Sequence, residues 1–434
     1  MIGWQFNPRA QLIHAVKGTR DLLPPATAVW NHVEDVARRV FRAYNYHEIR
    51  TPVFEETQLF ARGVGEETDI VTKEMYTFTD RDGASLTLRP EATASVIRAY
   101  IEHRLDQQPG LQKLYYIGPM FRRERPQKGR YRQFFQIGAE AIGSESPSVD
   151  AEVIEMVVEV LTRVGIEGFG VLLNSVGCAE CRPRFVERLR QELDAVSHGM
   201  CGDCRRRAVT NPLRIFDCKV EADQPVIERL PTILDFLCEA CRSHFDAVRQ
   251  YLSDRGVAFE LRPRLVRGLD YYMRTTFEVV HGALGAQNSV LGGGRYDGLA
   301  EALGSRVHSP GIGFSIGEDR LVMAVEDARP NGLHPVLDLF IAPLGEAALR
   351  HAGVVARELR RAGLSVEVAP AGKLKRTLEV ANKLGARYAL IVGDEEMARG
   401  EYALKNMQSG EQVSVKREEI LNRLKPQMDA DRRR

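Results

Sequence analysis

The chain has 434 residues, 44% apolar and 27% charged, enough to bury several cores and too apolar for wholesale disorder. Its 60 basic and 59 acidic residues leave a net charge of +1, so global charge names no partner. No stretch of about 18 apolar residues occurs and the first twenty residues hold no apolar leader core, so neither a membrane span nor a secretory signal is expected.

Residues 25–44 read as a helix. Pro24 and Pro25 mark its start, and Val29, Val33, Val36, Val40 and Phe41 recur at helical spacing. Pro52 then forces Thr51 into an extended conformation. YTFTDRDGASLTLRP predicts two strands joined at Asp82-Gly83, a hairpin pair. ATASVIRAYIEHRL follows as a helix. The segment from Leu111 to Gly143 predicts two strands around a basic loop, and residues 149–164 a further amphipathic helix.

From about 174 to 255 the texture is helical and cysteine-bearing, an insertion within a larger, mostly antiparallel domain spanning 1–330. Strand patterns return at VAFELRPRLVRGLDYYMRTTFEVVHG, where Arg267, Asp270, Tyr271 and Tyr272 are read on one strand. GGGRYD and PGIGFSIGEDRLVMAVED close the domain. ARPNGLHP (Ala328 to Pro335) is read as a linker. Residues 331–434 then alternate strand and helix, the pattern of a small α/β domain. That part holds 18 basic and 14 acidic residues, a net of +4.

Three arginine-bearing segments invite chemistry. FRRERPQKGRYR (Phe121 to Arg132) packs six basic residues and one acid between apolar strands. A solvated loop is the ordinary reading of such a run, but arginine suits bidentate contact with phosphate oxygens. Arg320 follows GIGFSIGED, where Gly311 and Gly313 permit close backbone approach. Arg267 stands in LVRGLDYY. Taken singly, each also has a plain structural explanation.

Together these segments, with KGTRDLLP, TLRPE and GGGRYDGL, resemble the signatures of the class II aminoacyl-tRNA synthetases, most closely the histidyl-tRNA synthetase family. The resemblance runs from about Val16 into the C-terminal domain. It implies an α+β fold with a six-stranded antiparallel catalytic sheet, a helical insertion and an anticodon-binding α/β domain. It further implies a cytoplasmic homodimer whose first motif, around Tyr44 to Phe60, builds the dimer interface. ATP is then the co-substrate, with Mg²⁺, and the partners are L-histidine and histidine tRNA. Arg122 is expected at the ATP α-phosphate and the histidine carboxylate, Glu124 and Arg125 in the ATP loop, Arg320 at the γ-phosphate and Arg267 at the α-phosphate. Glu140 and Tyr272 are expected to hold the imidazole, beside Tyr271, and Thr87 and Gln136 the ammonium end. Ser85 stands where some members are expected to carry an acid. No GxxxxGK[ST] phosphate loop occurs.

Seven cysteines, an odd count, argue against a disulfide framework. Cys178-x2-Cys181, nineteen residues, then Cys201-x2-Cys204 matches a zinc-ribbon spacing, and Cys218 and Cys238-x2-Cys241 follow. The first two pairs are taken as the structural Zn²⁺ ligands; buried thiols acting as small apolar residues are the alternative. In the C-terminal domain Lys373, Lys375, Arg376, Lys383 and Arg387 crowd a segment with one acid, Glu379. A solvated face is usual for such a run, and the resemblance implies contact with the tRNA backbone. A competing reading of the whole chain is a non-catalytic, synthetase-like regulatory subunit of histidine biosynthesis. Such subunits typically lack the C-terminal domain and carry degraded motifs.

Overall fold

The computed structural model describes residues 12–66, 68–282, 289–329 and 337–432, without the side chains of 425–432. The chain divides into two compact units between residues 333 and 334. Of the segment read as a linker, residues 330–335 lie outside the described residues.

The strands of the first unit are β1 (His47–Glu48), β2 (Phe54–Glu56), β3 (Tyr76–Thr79), β4 (Ser85–Leu88), β5 (Gln112–Phe121), β6 (Gln133–Ile142), β7 (Phe169–Ser175), β8 (Glu260–Leu261), β9 (Met273–His281), β10 (Ser289–Arg295) and β11 (Gly311–Gly317). The large sheet has the order β1-β5-β6-β11-β10-β9-β7-β8. Its central six strands are all antiparallel, and the two-residue edge strands β1 and β8 pair in parallel. β2, β4 and β3 form a separate small antiparallel sheet whose hairpin turns at Gly83, at φ +90°.

Alternation along the strands sorts the two faces of the large sheet. In β6, Ile137, Ala139 and Ala141 join the main apolar core, while Phe134, Gln136 and Glu140 face a cavity. β9 does the same, with Phe277 and Val279 in the core and Glu278 on the cavity side. The core face is covered by helices Thr27–Ala43, Pro147–Arg163, Glu239–Asp254 and Glu318–Ala328. Pro147–Arg163 starts where local chemistry directs it. The Ser146 side chain accepts the Ser148 N–H, Pro147 occupies the first position and Asp150 lies in the first turn. Its Val153, Ile154, Val157, Val160 and Leu161 are buried.

The insertion has its own core of Cys181, Phe185, Leu189, Leu193 and Ile215 with their neighbours, from Cys181 to Cys241. Its boundary differs from the sequence reading. Phe245, Val248 and Leu252 of the helix Glu239–Asp254 belong to the main core, so this helix serves both. RGLDYY also differs. Residues 262–272 form turns and bends between β8 and β9, and β9 begins only at Met273. The β pattern fails there because the backbone turns on itself and ties to another element. Leu265 N–H bonds the Arg262 carbonyl, and Asp270 N–H reaches Val64 on another element.

The second unit holds β12 (Leu337–Pro343), β13 (Val366–Val368), β14 (Ala386–Val392), β15 (Glu401–Asn406) and β16 (Gln412–Lys416), in the order β13-β12-β14-β15-β16. The first three are parallel, linked through helices Glu346–Arg361 and Leu374–Lys383, and β15 and β16 add antiparallel. Both helices bury one face: Ala352, Val355, Ala356 and Leu359 in the first, Thr377 and Ala381 in the second.

Candidate active site

A cavity of about 590 Å³ opens on the polar face of the large sheet. At its floor lies Glu140, 1% exposed. Its Oε1 accepts the Thr93 hydroxyl and its Oε2 the Tyr296 hydroxyl, both at 2.7 Å. Burial pushes this carboxyl up to about 8, against the pull of those two donors, and nearby Glu91 adds to the rise. Gln136, on the same face of β6, presents a buried Oε1 with no hydrogen-bond partner among the described residues. Tyr271 and Tyr272 close one side, their rings 4.8 Å apart.

The arginines are held by acceptors that set their direction. Arg122 Nε donates to the Pro90 carbonyl at 2.9 Å, and its guanidinium lies 5.3 Å from the Phe134 ring centre. Arg267 donates to Glu278 at 2.8 Å. Arg320, in the first turn of its helix, donates to the Ser289 carbonyl at 2.7 Å. Glu124 accepts from Arg130 at 2.8 Å, and both line the cavity.

Glycines make the room. A Cβ on Gly292 would lie 1.7 Å from the Arg267 guanidinium, and one on Gly313 1.7 Å from Glu140 Oε2. A Cβ on Gly294 would lie 2.8 Å from the Tyr272 ring. The GGG and GIG runs therefore act through absence of side chains, clearing volume that β6 and the 262–272 segment fill.

This chain matches the family model described as histidyl-tRNA synthetase over residues 18–321 and the anticodon-binding-domain model over 338–427. The chain belongs to the histidyl-tRNA synthetase family. It is 75% identical over 413 residues to a histidine–tRNA ligase of Solibacter usitatus, covering 95% of this chain and 99% of that one. A histidine–tRNA ligase of Koribacter versatilis is 58% identical, covering 94% and 95%. The apo crystal structure of the Staphylococcus aureus histidyl-tRNA synthetase superposes with a TM-score of 0.77 at 37% identity, covering 95% of this chain and all of that one.

Within this synthetase fold, Arg122, Glu124, Gln136, Glu140, Arg267, Tyr271, Tyr272 and Arg320 all line the one cavity. Three expected residues do not. Arg125 is exposed on the basic loop, away from the lining. Thr87 is fully buried between the hydroxyls of Thr57 and Thr77, each at 2.9 Å, and Ser85 is exposed beside Thr57. Both belong to β4 of the small sheet, which ends at Leu88 before the chain turns toward the cavity at Pro90.

The residues that reach the cavity there are Glu91 and Thr93. Glu91 is 4% exposed, and its carboxylate accepts the N–H groups of Thr93 and Ala94 at 2.8 and 2.9 Å, capping helix Thr93–Glu102 from outside. Ser85 stays off the lining, and Glu91 is the carboxylate of this segment that reaches the cavity. The signal lay in TLRPE itself, whose last residue starts a helix. Tyr296, inside GGGRYDG, was likewise legible only as part of a motif. Its neighbour Arg295 is fully buried and paired with Asp150 and Asp297 at 2.7 and 2.8 Å, a structural role.

The cysteines are also regrouped. Cys178 and Cys181 converge with Cys238 and Cys241, whereas Cys201 and Cys204 converge with Cys218 and Asp223. The first two pairs therefore fall into different groups, with helix Cys181–Val196 between them along the chain. Lys373, Lys375, Arg376 and Lys383 are exposed on or beside helix Leu374–Lys383, while Arg387 is half-buried and lies 3.6 Å from Asp338.

Proposed function

We infer that the chain activates L-histidine with ATP and transfers the histidyl group to the 3′-terminal adenosine of histidine tRNA. The observation that carries the reading is one cavity joining a cluster of held arginines to a buried carboxyl on paired hydroxyl donors. The histidine carboxylate attacks the α-phosphorus, giving histidyl-adenylate and pyrophosphate. Charge gathers on phosphoryl oxygens, so the reaction needs placed cations more than acid–base groups. Arg122 and Arg267 are assigned to the α-phosphate and Arg320 to the γ-phosphate, each already oriented by an acceptor. Glu140 and Tyr272 are assigned to the imidazole. A carboxyl titrating near 8 shares its proton with a basic ring, which an amide isostere does not replace. The Oε1 of Gln136, buried and without a partner among the described residues, suits the ammonium group together with Glu91 and Thr93.

Mg²⁺ fits this cavity as a companion of the nucleotide. Among the described residues no cluster of carboxylates alone converges, but Glu124 and Glu278 offer hard oxygen donors beside the phosphate arginines. When bound, the ion neutralises phosphate charge. Lys373, Lys375 and Arg376 are assigned to the tRNA backbone, being exposed and adjacent. A homodimer built on the 44–60 segment is supported by exposed Val53, Phe54 and Phe78, an apolar patch on the small sheet. Light scattering at micromolar concentration tests it. Among the described residues no helix is long and apolar enough to cross a membrane, and we place the protein in the cytoplasm with its substrates. The regulatory-subunit reading is not favoured, because the ligase relatives align over nearly the whole chain.

ATP–pyrophosphate exchange without tRNA, each amino acid supplied separately, tests the reading. Exchange with histidine alone is expected. Folded dimer that supports no exchange would return the chain to the regulatory class.

A further inference from the structure

The cysteines of the insertion take no part in the reaction above, and all seven are free thiols. Their ligand atoms nevertheless converge twice, each set within 4.8 Å. A tetrahedral Zn²⁺ with Zn–S bonds of about 2.3 Å sets sulfur–sulfur edges of about 3.8 Å. The separations found are 3.5 Å for Cys178–Cys181, 3.9 Å for Cys178–Cys238, 3.6 Å for Cys181–Cys241 and 3.9 Å for Cys201–Cys218.

Backbone donors already face the sulfurs, as thiolates require. Cys178 N–H points to Cys181 Sγ at 3.1 Å, Glu180 N–H to Cys178 Sγ at 3.4 Å, Cys204 N–H to Cys201 Sγ at 3.4 Å and Val220 N–H to Cys218 Sγ at 3.4 Å. Apolar packing accounts for buried thiols but not for Asp223. It is 3% exposed, and its Oδ2 lies 3.3 Å from Cys218 Sγ among three sulfurs. The Cys201 N–H, 3.2 Å from both of its oxygens, satisfies part of that carboxylate, and a cation among the sulfurs would offset the rest of its burial cost.

We propose that the chain holds two structural Zn²⁺ ions, one on Cys178, Cys181, Cys238 and Cys241 and one on Cys201, Cys204, Cys218 and Asp223, and that the second positions a wall of the cavity. The ligand assignment rests on the coordination geometry alone; the role of the wall rests on the adenylation reading above. Phe216, Asp217, Cys218 and Lys219 line the cavity in succession. Arg214, in the same turn, donates to Asp217 at 2.6 Å and to the Arg267 carbonyl at 3.2 Å. A metal on Cys218 thus fixes the strip that backs Arg267. Thiolates are deprotonated on binding, so each site releases protons and loses metal in acid.

The experiment is metal analysis of full-length protein purified anaerobically without chelator, with a parallel count of reactive thiols. Two Zn²⁺ per chain are expected, and one or none in folded protein overturns the proposal as stated. Asp223→Asn should bind one, and Cys238→Ser should lose the other. Retention of two by Asp223→Asn overturns its assignment as a ligand. Replacement by Co²⁺ gives a check that needs no variant, since S₄ and S₃O sites differ in their visible bands. In pyrophosphate exchange Asp223→Asn should raise KM for ATP or histidine several-fold. Loss of one Zn²⁺ with unchanged KM would overturn the positioning role while leaving the metal sites standing.

Discussion

Gly292→Ala separates the geometry of the cavity from the stability of the fold. The added methyl would lie 1.7 Å from Arg267 Nη2, 2.0 Å from Cζ and 2.5 Å from Nη1, all atoms at the flexible end of one side chain. Ordinary contact begins at 3.4 Å, so the guanidinium must retreat by roughly 1.7 Å or the strand must shift. No backbone atom is among its three nearest neighbours, so the side chain moves first. That retreat breaks the 2.8 Å contact with Glu278, which is what orients Arg267. A misplacement of about 1 Å can lower a rate about 100-fold, and losing one placed donor costs about 3–4 kcal/mol of transition-state stabilisation. A fall of about 10²- to 10³-fold in kcat for pyrophosphate exchange is expected, with the midpoint of thermal unfolding moved by only a few degrees. Gly313→Ala is the contrast. Its methyl would meet Glu140 and also the Ala139 carbonyl oxygen at 2.6 Å, so it should lose stability as well as activity. Wild-type exchange by folded Gly292→Ala would refute the placement of Arg267 at the reacting phosphate.

Glu140→Gln should raise KM for histidine about 10- to 100-fold, the worth of a hydrogen bond to a charged group. Its folded carboxyl titrates near 8 against an ordinary 4.5, so wild-type stability falls as pH climbs through that window. The unfolding midpoint of Glu140→Gln relative to wild type should therefore rise between pH 5 and 8; a pH-independent difference would contradict the burial argument. Arg295→Met leaves Asp150 buried without its arginine and Asp297 with only Arg274 at 3.8 Å, and should cost about 3–5 kcal/mol in denaturant unfolding. A loss under about 1 kcal/mol would mean that the pair is solvated. Deleting residues from 335 onward should spare histidine-dependent pyrophosphate exchange and abolish efficient tRNA charging, and undiminished charging would exclude the second unit from tRNA recognition.

Much of this architecture is local and could be read residue by residue. The alternation of β5 and β6, the Ser146-Pro147 cap and the Asp82-Gly83 turn each declare themselves within a few positions. The cavity was legible as motifs before it was legible as contacts. Where reading failed, the deciding interaction was remote. Glu91 and Ser85 stand six positions apart in one segment, and only the end of β4 and the Pro90–Arg122 bond determine which of them reaches the cavity. RGLDYY has the residue types of a strand, yet its backbone is tied to Val64 and to Arg214 across the chain. Cysteine spacing suggested neighbours in sequence, but Cys178 meets Cys238 across 60 residues.

The helix Glu239–Asp254 is buried at Cys241 in one core and at Phe245, Val248 and Leu252 in another, with no break between. A continuous helix does not bend cheaply, so the insertion is not a flap hung on loops but a lever clamped along its own length. Whatever presses on it from outside, an RNA stem included, would be felt by the packing beneath the sheet before any hinge could absorb it.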